Sequence, residues 1–315
     1  MDFGYHHASF RYADAPDRPA IESTVERAQW LESEGFTWLS LMDHVWQLPF
    51  VGQRDDTFLD CYTALPAIAQ ATDEIELGAL VTCPHYRNPG YLGRTLATLD
   101  HVSGGRAVLG IGAGWYEDEY DAMDIEYPDV PTRNRQMRET IEICRAMWTR
   151  ESPVSYAGDH YRIDEFYCEP KPDGIPVLIG GGGEELTLRA TAEYADRWNL
   201  PSGDPETIAG KLDVLEGHCE EQGTDYDAIT KTVGNRTVIR EDAAEAHAVY
   251  EDLTEHTETG PTPREEDRGA VGTPAEVAER LAGFDDIGVD TFMLMVPDND
   301  RRTVELFVDE VMGAV

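Results

Sequence analysis

Pro176-Val177-Leu178-Ile179 is a short apolar run that stops at Gly180-Gly181-Gly182-Gly183 and passes at Glu184 into a helix-period stretch reaching Tyr194. An apolar run of this length bounded by turn signals reads as a strand buried on both faces, the kind found in parallel sheets. The same unit recurs on either side. Strand-type runs at 3–7, 36–41, 75–82, 106–111, 197–200, 230–239 and 291–296 bring the number to eight. Helical stretches at 21–34, 59–71, 91–102, 132–148, 184–194, 205–221, 243–253 and 274–286 lie between them, and 301–312 closes the chain. Strands separated by helices pair in parallel, and eight such units with right-handed crossovers close most economically into an α/β fold, a (β/α)8 TIM barrel. The alternative, an open doubly wound sheet, expects a GxGxxG turn after the first strand, and 6–20 has none.

Local signals agree with these boundaries. Thr273-Pro274 with Glu276 has the pattern of a capping box with proline in the first turn, and Gly35 is placed to stop the first helix. One domain spanning 1–315 accommodates everything except two insertions. The first, 151–174, carries Tyr156, Tyr161, Phe166 and Tyr167 between turn signals and reads as a hairpin laid over the barrel. The second, 255–268, is rich in Thr, Glu and Pro and reads as a mobile surface loop.

The chain has 62 acidic and 25 basic residues among 315, a formal net charge of −37, and its only lysines are Lys171, Lys211 and Lys231. Such a surface has no basic patch for nucleic acid or an anionic membrane. It suits a salt-rich cytosol, where molar salt cuts the screening length to about 3 Å, so a halophilic source is expected. Cys61, Cys83, Cys144, Cys168 and Cys219 form no CxxC pair and read as reduced, buried thiols. The first residues lack a basic segment followed by an apolar run, and no stretch is long enough to span a bilayer, so a cytoplasmic protein is expected.

In a parallel barrel the chemistry gathers at the C-terminal ends of the strands. There the sequence places His6 and His7, then Asp43-His44-Val45-Trp46, then Thr82-Cys83-Pro84-His85-Tyr86-Arg87. An adjacent Asp and His supply an acid/base histidine of fixed tautomer, or equally a capping Asp beside a satisfied His. Arg87 is either an anion ligand or, at lower cost, the partner of one of the many acids. Gly110-Ile111-Gly112-Ala113-Gly114-Trp115 lets a planar ligand approach the backbone, or packs a strand against a helix. Gly180 to Gly183, opening a helix, has the makings of a phosphate cradle. The run Glu117-Asp118-Glu119 reads as a solvated face, and His101, His160, His218 and His247 read as structural or solvated. HExxH, P-loop and GxSxG motifs are absent. An aldolase-type barrel would require a catalytic lysine or carboxylate pair on strand ends, whereas Lys171 precedes its strand, Lys211 lies in a helix and Lys231 starts a strand on the wrong face.

Taken in order, Phe36-Thr37-Trp38-Leu39-Ser40-Leu41-Met42-Asp43-His44, 75–82, 99–106, Gly110 to Trp115, 176–183 and Tyr194-Ala195-Asp196-Arg197-Trp198-Asn199 resemble the bacterial-luciferase-like oxidoreductases, over roughly the first 200 residues. The resemblance implies a TIM barrel with a flavin-type cofactor over its C-terminal face. The Asp-His pair and the Gly-Ala-Gly-Trp turn look most like the branch using the deazaflavin coenzyme F420, with FMN as the alternative cofactor. Carried over by position, His44 sits against the reactive face of the ring with Asp43 beside it. Ala79 and Leu80 match the place of a non-prolyl cis peptide behind the ring. Thr82, Gly112, Gly114 and the turn Gly180, Gly181, Gly182 and Gly183 hold the cofactor. Where the sugar-phosphate dehydrogenase of this family has an acidic glutamate, this chain has Trp115, which implies a small, weakly charged organic substrate in a pocket of His6, Trp46, Trp115, Tyr116 and Trp198. The implied reaction is hydride transfer; with FMN and oxygen it becomes monooxygenation, and a catalytically idle cofactor binder is the other class. Relatives of this kind commonly form homodimers.

Overall fold

The computed structural model describes residues 1–260 and 269–315. Eleven strands are present among them: β1 Asp2–His7, β2 Trp38–Leu41, β3 Glu76–Ala79, β4 Ala107–Ile111, β5 Val154–Ala157, β6 Arg162–Phe166, β7 Val177–Gly180, β8 Arg197–Leu200, β9 Thr230–Ile239, β10 Ala270–Gly272 and β11 Thr291–Met295. The helices that follow the strands are α1 Ala20–Ser33, α2 Cys61–Ala69, α3 Pro89–Ser103, α4 Glu117–Ala122, α5 Val130–Thr149, α6 Arg189–Tyr194, α7 Pro205–Gln222 and α8 Ala243–Thr254, then Pro274–Asp285 and Arg301–Leu306. Parallel pairing runs β1-β2-β3-β4-β7-β8-β9-β11 and returns from β11 to β1, so eight strands close a TIM barrel.

The eight expected strands are the eight barrel strands, and those at 197–200 and 230–239 coincide with β8 and β9. The capping box of Thr273 with Glu276 is formed, and Gly35 follows α1 with φ +90°. The first insertion folds as the antiparallel hairpin β5–β6, fastened to α5 by Glu139, whose carboxylate accepts the N–H groups of Asp159, His160 and Tyr161. Of the second insertion, 261–268 lies outside the described residues. Two elements were not expected. Strand β10 has three residues, too few to show a period, and lies beside the end of β9. Helix α4, sequence EDEYDA, carries three acids in its first turn, where the helix dipole favours them.

A small cluster fills the barrel axis: Trp38, Val108, Leu178 and Met293, with Leu80 and Val81 packed on top. Glycines on neighbouring strands make room for it. A Cβ on Gly4 would stand 2.3 Å from Met293 Sδ, and one on Gly78 would stand 2.5 Å from the Val108 carbonyl oxygen. The larger cluster lies between the strands and the helices and includes all five cysteines except Cys83; all five are free and buried.

The strand expected over 75–82 stops at Ala79. Its ladder with β2 continues through the Leu80 N–H, which donates to the Leu41 carbonyl at 2.9 Å, and breaks at a cis peptide between Leu80 and Val81. The cis bond therefore falls one residue later than the expected Ala79-Leu80 position, because Ala79 is still held in register opposite Leu41. Val81 then turns inward over the axis. A Cβ on Gly180 would meet its Cγ1 at 2.7 Å, and one on Gly112 its Cγ2 at 2.8 Å.

Gly110 is the most confined position in this floor: an added Cβ would lie 2.0 Å from the carbonyl oxygen of Ala79, backbone meeting backbone between two paired strands. Gly110→Ala is expected to lower stability by about 1–3 kcal/mol, the usual cost of overpacking. Urea unfolding reads this directly, and an unchanged midpoint would contradict the tight floor.

Candidate active site

At the C-terminal mouth of the barrel is a cavity of about 660 Å³, within the size range of small-molecule sites. Leu80 and Val81 form its floor, and Thr82, Gly112 and Gly180 edge it. The Thr82 hydroxyl is fully buried and shares a 2.5 Å hydrogen bond with Tyr62.

His44 stands at the wall, mostly buried. Its Nδ1 lies 2.8 Å from Oε2 of Glu119 on α4, whose side chain has no exposure to solvent. The same carboxylate accepts the Val45 N–H at 2.6 Å and the Tyr86 hydroxyl. Burial raises the pKa of the Glu119 carboxyl, but the hydrogen bond and charge of His44, with the donors from Tyr86 and Val45, outweigh it and hold the group below the usual glutamate range. An ionised carboxylate only accepts, so Nδ1 of His44 carries a proton. Nε2 has no protein partner among the described residues and is the nitrogen left for a ligand.

Asp43 does not serve His44. It takes the Arg87 guanidinium at 2.7 Å, whose other hand holds Asp60 at 3.1 Å, so the ion-pair reading of Arg87 is the observed one. Successive residues beyond a strand end diverge, and the carboxylate that reaches His44 comes from Glu119. In sequence that residue belongs to the acidic run 117–119, which reads as a solvated face. The signal that could have found it is Tyr120 directly after it, an apolar anchor that fixes which face of a short helix turns inward.

His6 lies across the cavity, its Nδ1 sharing a 3.0 Å hydrogen bond with the Ser40 hydroxyl. Trp115 is 55% exposed at the mouth, its ring 5.9 Å from that of His44 and 5.2 Å from that of Tyr116. The other expected pocket tryptophans are elsewhere. Trp198 is fully buried and donates Nε1–H to the Gly181 carbonyl at 2.9 Å, a packing role set by its place on β8. Trp46 does not line the cavity; the Arg54 guanidinium lies 4.2 Å above its ring. Ala79 stays behind the floor as the last residue of its strand.

The glycine turn is also more committed than its sequence suggests. Gly181, at φ +124°, donates its N–H to the Asn199 carbonyl at 2.9 Å, and only Gly180 and Gly181 of the four line the cavity. A Cβ on Gly182 would meet Leu200 at 2.8 Å. Gly114, at φ +75°, lines the cavity with its carbonyl held by Arg133 Nε at 3.2 Å, and a Cβ there would meet the Tyr120 hydroxyl at 2.0 Å. Among the described residues no cluster of His, Cys, Asp and Glu is arranged to hold a metal ion, and no helix is long and apolar enough to cross a membrane.

Burial, and secondarily the charge of His44, lowers the pKa of His6 to about 4; burial, and secondarily the charge of Arg27, lowers that of His7 to about 3. Both imidazoles are therefore neutral in the fold, while the unfolded chain takes up their protons near pH 6.5. The unfolded state then binds more protons below that point, and stability present above pH 6.5 drains away as pH falls toward 4. His6→Gln is expected to flatten the dependence of urea midpoint on pH between 6.5 and 5; a slope equal to that of the parent protein would show His6 to be uninvolved.

The sequence matches the family model described as luciferase-like monooxygenase over residues 1–291. An uncharacterised protein of Mycobacterium tuberculosis is 34% identical over 188 residues, covering 54% of this chain and 64% of that protein; the chain thus spans less than two thirds of that relative. An F420-dependent glucose-6-phosphate dehydrogenase of Segniliparus rotundus is 25% identical, with 92% of this chain and 91% of that enzyme covered. An FMNH(2)-dependent dimethylsulfone monooxygenase of Pseudomonas putida is also 25% identical, covering 87% and 82%. Among solved structures, an F420-dependent secondary alcohol dehydrogenase in complex with an F420-acetone adduct has a TM-score of 0.85 at 21% identity, covering 100% of this chain and 99% of that one.

Proposed function

Because the chain belongs to the luciferase-like monooxygenase family, we propose that it is an F420-dependent oxidoreductase acting on a small, weakly charged organic substrate, an alcohol or its carbonyl counterpart. The observation that carries this reading is His44 fixed by the buried carboxylate of Glu119 at the cavity wall. A flat ring of flavin type fits the residues present: the floor of Leu80 and Val81 is apolar, and Gly112, Gly114 and Gly180 bring bare backbone to its edge. Bound there, such a cofactor supplies the hydride donor or acceptor.

The chain's own part is to position groups and manage a proton. With Nδ1–H committed to Glu119, His44 presents the basic Nε2 to a substrate hydroxyl and takes its proton as hydride leaves the carbon. The charge of Glu119 stabilises the imidazolium that forms. In the reverse direction the imidazolium returns the proton to a carbonyl oxygen. Trp115, Tyr116 and Phe50 surround the mouth with aromatic surface, which suits an uncharged substrate better than a phosphorylated one.

Oxidised F420 and FMN, titrated separately in molar salt, distinguish this reading from the FMN alternative; binding of F420 with bleaching by simple secondary alcohols is expected. His44→Ala should retain the cofactor and lose turnover by about 10²–10⁴-fold, the usual share of general acid/base catalysis. Glu119→Gln should retain the cofactor and lower kcat, because no carboxylate then balances the charge that forms on His44 during proton transfer; an unchanged kcat would remove Glu119 from the reaction. Preference for FMN with oxygen consumption would move the protein to the monooxygenase reading, and binding without turnover in any variant to an idle binder.

The acidic surface fits a salt-rich cytoplasm and a homodimer whose like-charged protomers need screening to associate. Light scattering is expected to show dimer in molar salt and monomer after dilution into low salt; an unchanged mass would refute the salt dependence.

A further inference from the structure

Two imidazoles open onto the cavity, and the bonds behind them give them opposite polarity. His44 stands just past the end of β2, and His6, on the neighbouring β1, pairs in register with Ser40. Ser40 is fully buried, and its hydroxyl has one partner among the described residues, Nδ1 of His6 at 3.0 Å. A shared bond of this kind can run in either direction. If Nδ1–H donated, the Ser40 hydroxyl proton would have no acceptor, an unmade bond that burial penalises. If the hydroxyl donates, its proton and the Nδ1 lone pair are both satisfied. The second arrangement puts the single proton of the neutral ring on Nε2.

That nitrogen is open to the cavity. It has no partner among the described residues, yet it is not sealed off without one, as Nδ1 of the neighbouring His7 is. His44 is the converse case, because Glu119 keeps the proton on Nδ1 and leaves a bare lone pair at Nε2. We propose that His6 is a specificity-determining residue whose Nε2–H donates to a lone pair of the substrate oxygen, while Nε2 of His44 accepts the proton of the same hydroxyl. This rests on the reading of the cavity as the site of an alcohol or its carbonyl counterpart. A hydroxyl donates and accepts at once, so it satisfies both rings. An ether offers His44 no proton, and a protonated amine offers His6 no lone pair. Ser40 is the positioning residue, because its bond to the far nitrogen sets the tautomer of His6.

Long-range proton–nitrogen NMR of protein carrying isotope-labelled histidine reads the ring nitrogens directly, with the His6 signals assigned by their loss in His6→Gln. Near neutral pH, His6 should carry its proton on Nε2 alone and His44 on Nδ1 alone. Ser40→Ala should give His6 a mixture of tautomers, and added isopropanol should shift the His6 Nε2 signal of the parent protein. A proton on Nδ1 of His6, or an Nε2 signal unmoved by isopropanol, would overturn the assignment. In F420-dependent oxidation of isopropanol, His6→Leu should lose roughly ten- to a hundredfold in kcat/KM with F420 affinity unchanged, the usual effect of leaving a buried hydrogen bond unmade. His6→Gln, whose amide N–H still donates, should recover most of that loss. Equal kcat/KM in the parent and His6→Leu would overturn the assignment, and so would a parallel loss of F420 affinity, which would make His6 a support of the barrel mouth. If the parent protein neither binds F420 nor turns over, yet its His6 Nε2 signal shifts with isopropanol, the cofactor reading falls and the donor role of His6 stands.

Discussion

The mouth of this barrel is organised around one ionised carboxylate with no access to water. A buried charge is tolerated only when its lone pairs are filled, and leaving one uncompensated costs about 3–5 kcal/mol. Glu119 is satisfied by donors from two other stretches of chain: His44 and the backbone of Val45 after β2, and Tyr86 after β3. Its own backbone belongs to the short helix after β4. Three consecutive strand ends are thereby tied to one side chain, and the tautomer of His44 follows from the same tie. Tyr120, next in sequence, extends the anchoring by meeting His85 Nδ1 at 2.7 Å, while Gly114 must stay bare to admit its hydroxyl.

What could be read from sequence, and what could not, divides along physical lines. Buried strands announce themselves by apolar runs such as Val177-Leu178-Ile179, and caps such as Thr273 with Glu276 by residue type at fixed spacing, because both depend on neighbours in the chain. Which side chains meet across the mouth depends on the directions in which loops leave the barrel. Asp43 and His44 are adjacent yet turn to Arg87 and Glu119, and no spacing rule assigns those partners. Trp198, which the resemblance puts in the pocket, is core, because its position on β8 turns it to the Gly181 carbonyl. The four glycines promised free N–H groups, yet a ladder bond had already claimed the N–H of Gly181. Helix α4 carries no sequence signal of its own, because six residues, four of them acidic, show no apolar period.

The distribution of cations follows the same logic. With arginines making up all but three of the 25 basic residues, positive charge is placed where a planar fork can bind several acceptors at once. Arg106 shows this at the foot of the barrel, donating to the carbonyls of Ala69, Thr72, Ile75 and Ser103. The lysines are likewise engaged: Lys171 with the Met147 carbonyl, Lys211 with Glu184 and Lys231 with the Tyr226 carbonyl.

The inward turn of Val81 has a kinetic corollary. With Leu80 and Val81 seated on Trp38, Val108, Leu178 and Met293, the axis of the barrel is plugged, and traffic through the strands' far end is closed. A ligand therefore enters and leaves by the open mouth alone, and its descent stops at the floor of Leu80 and Val81.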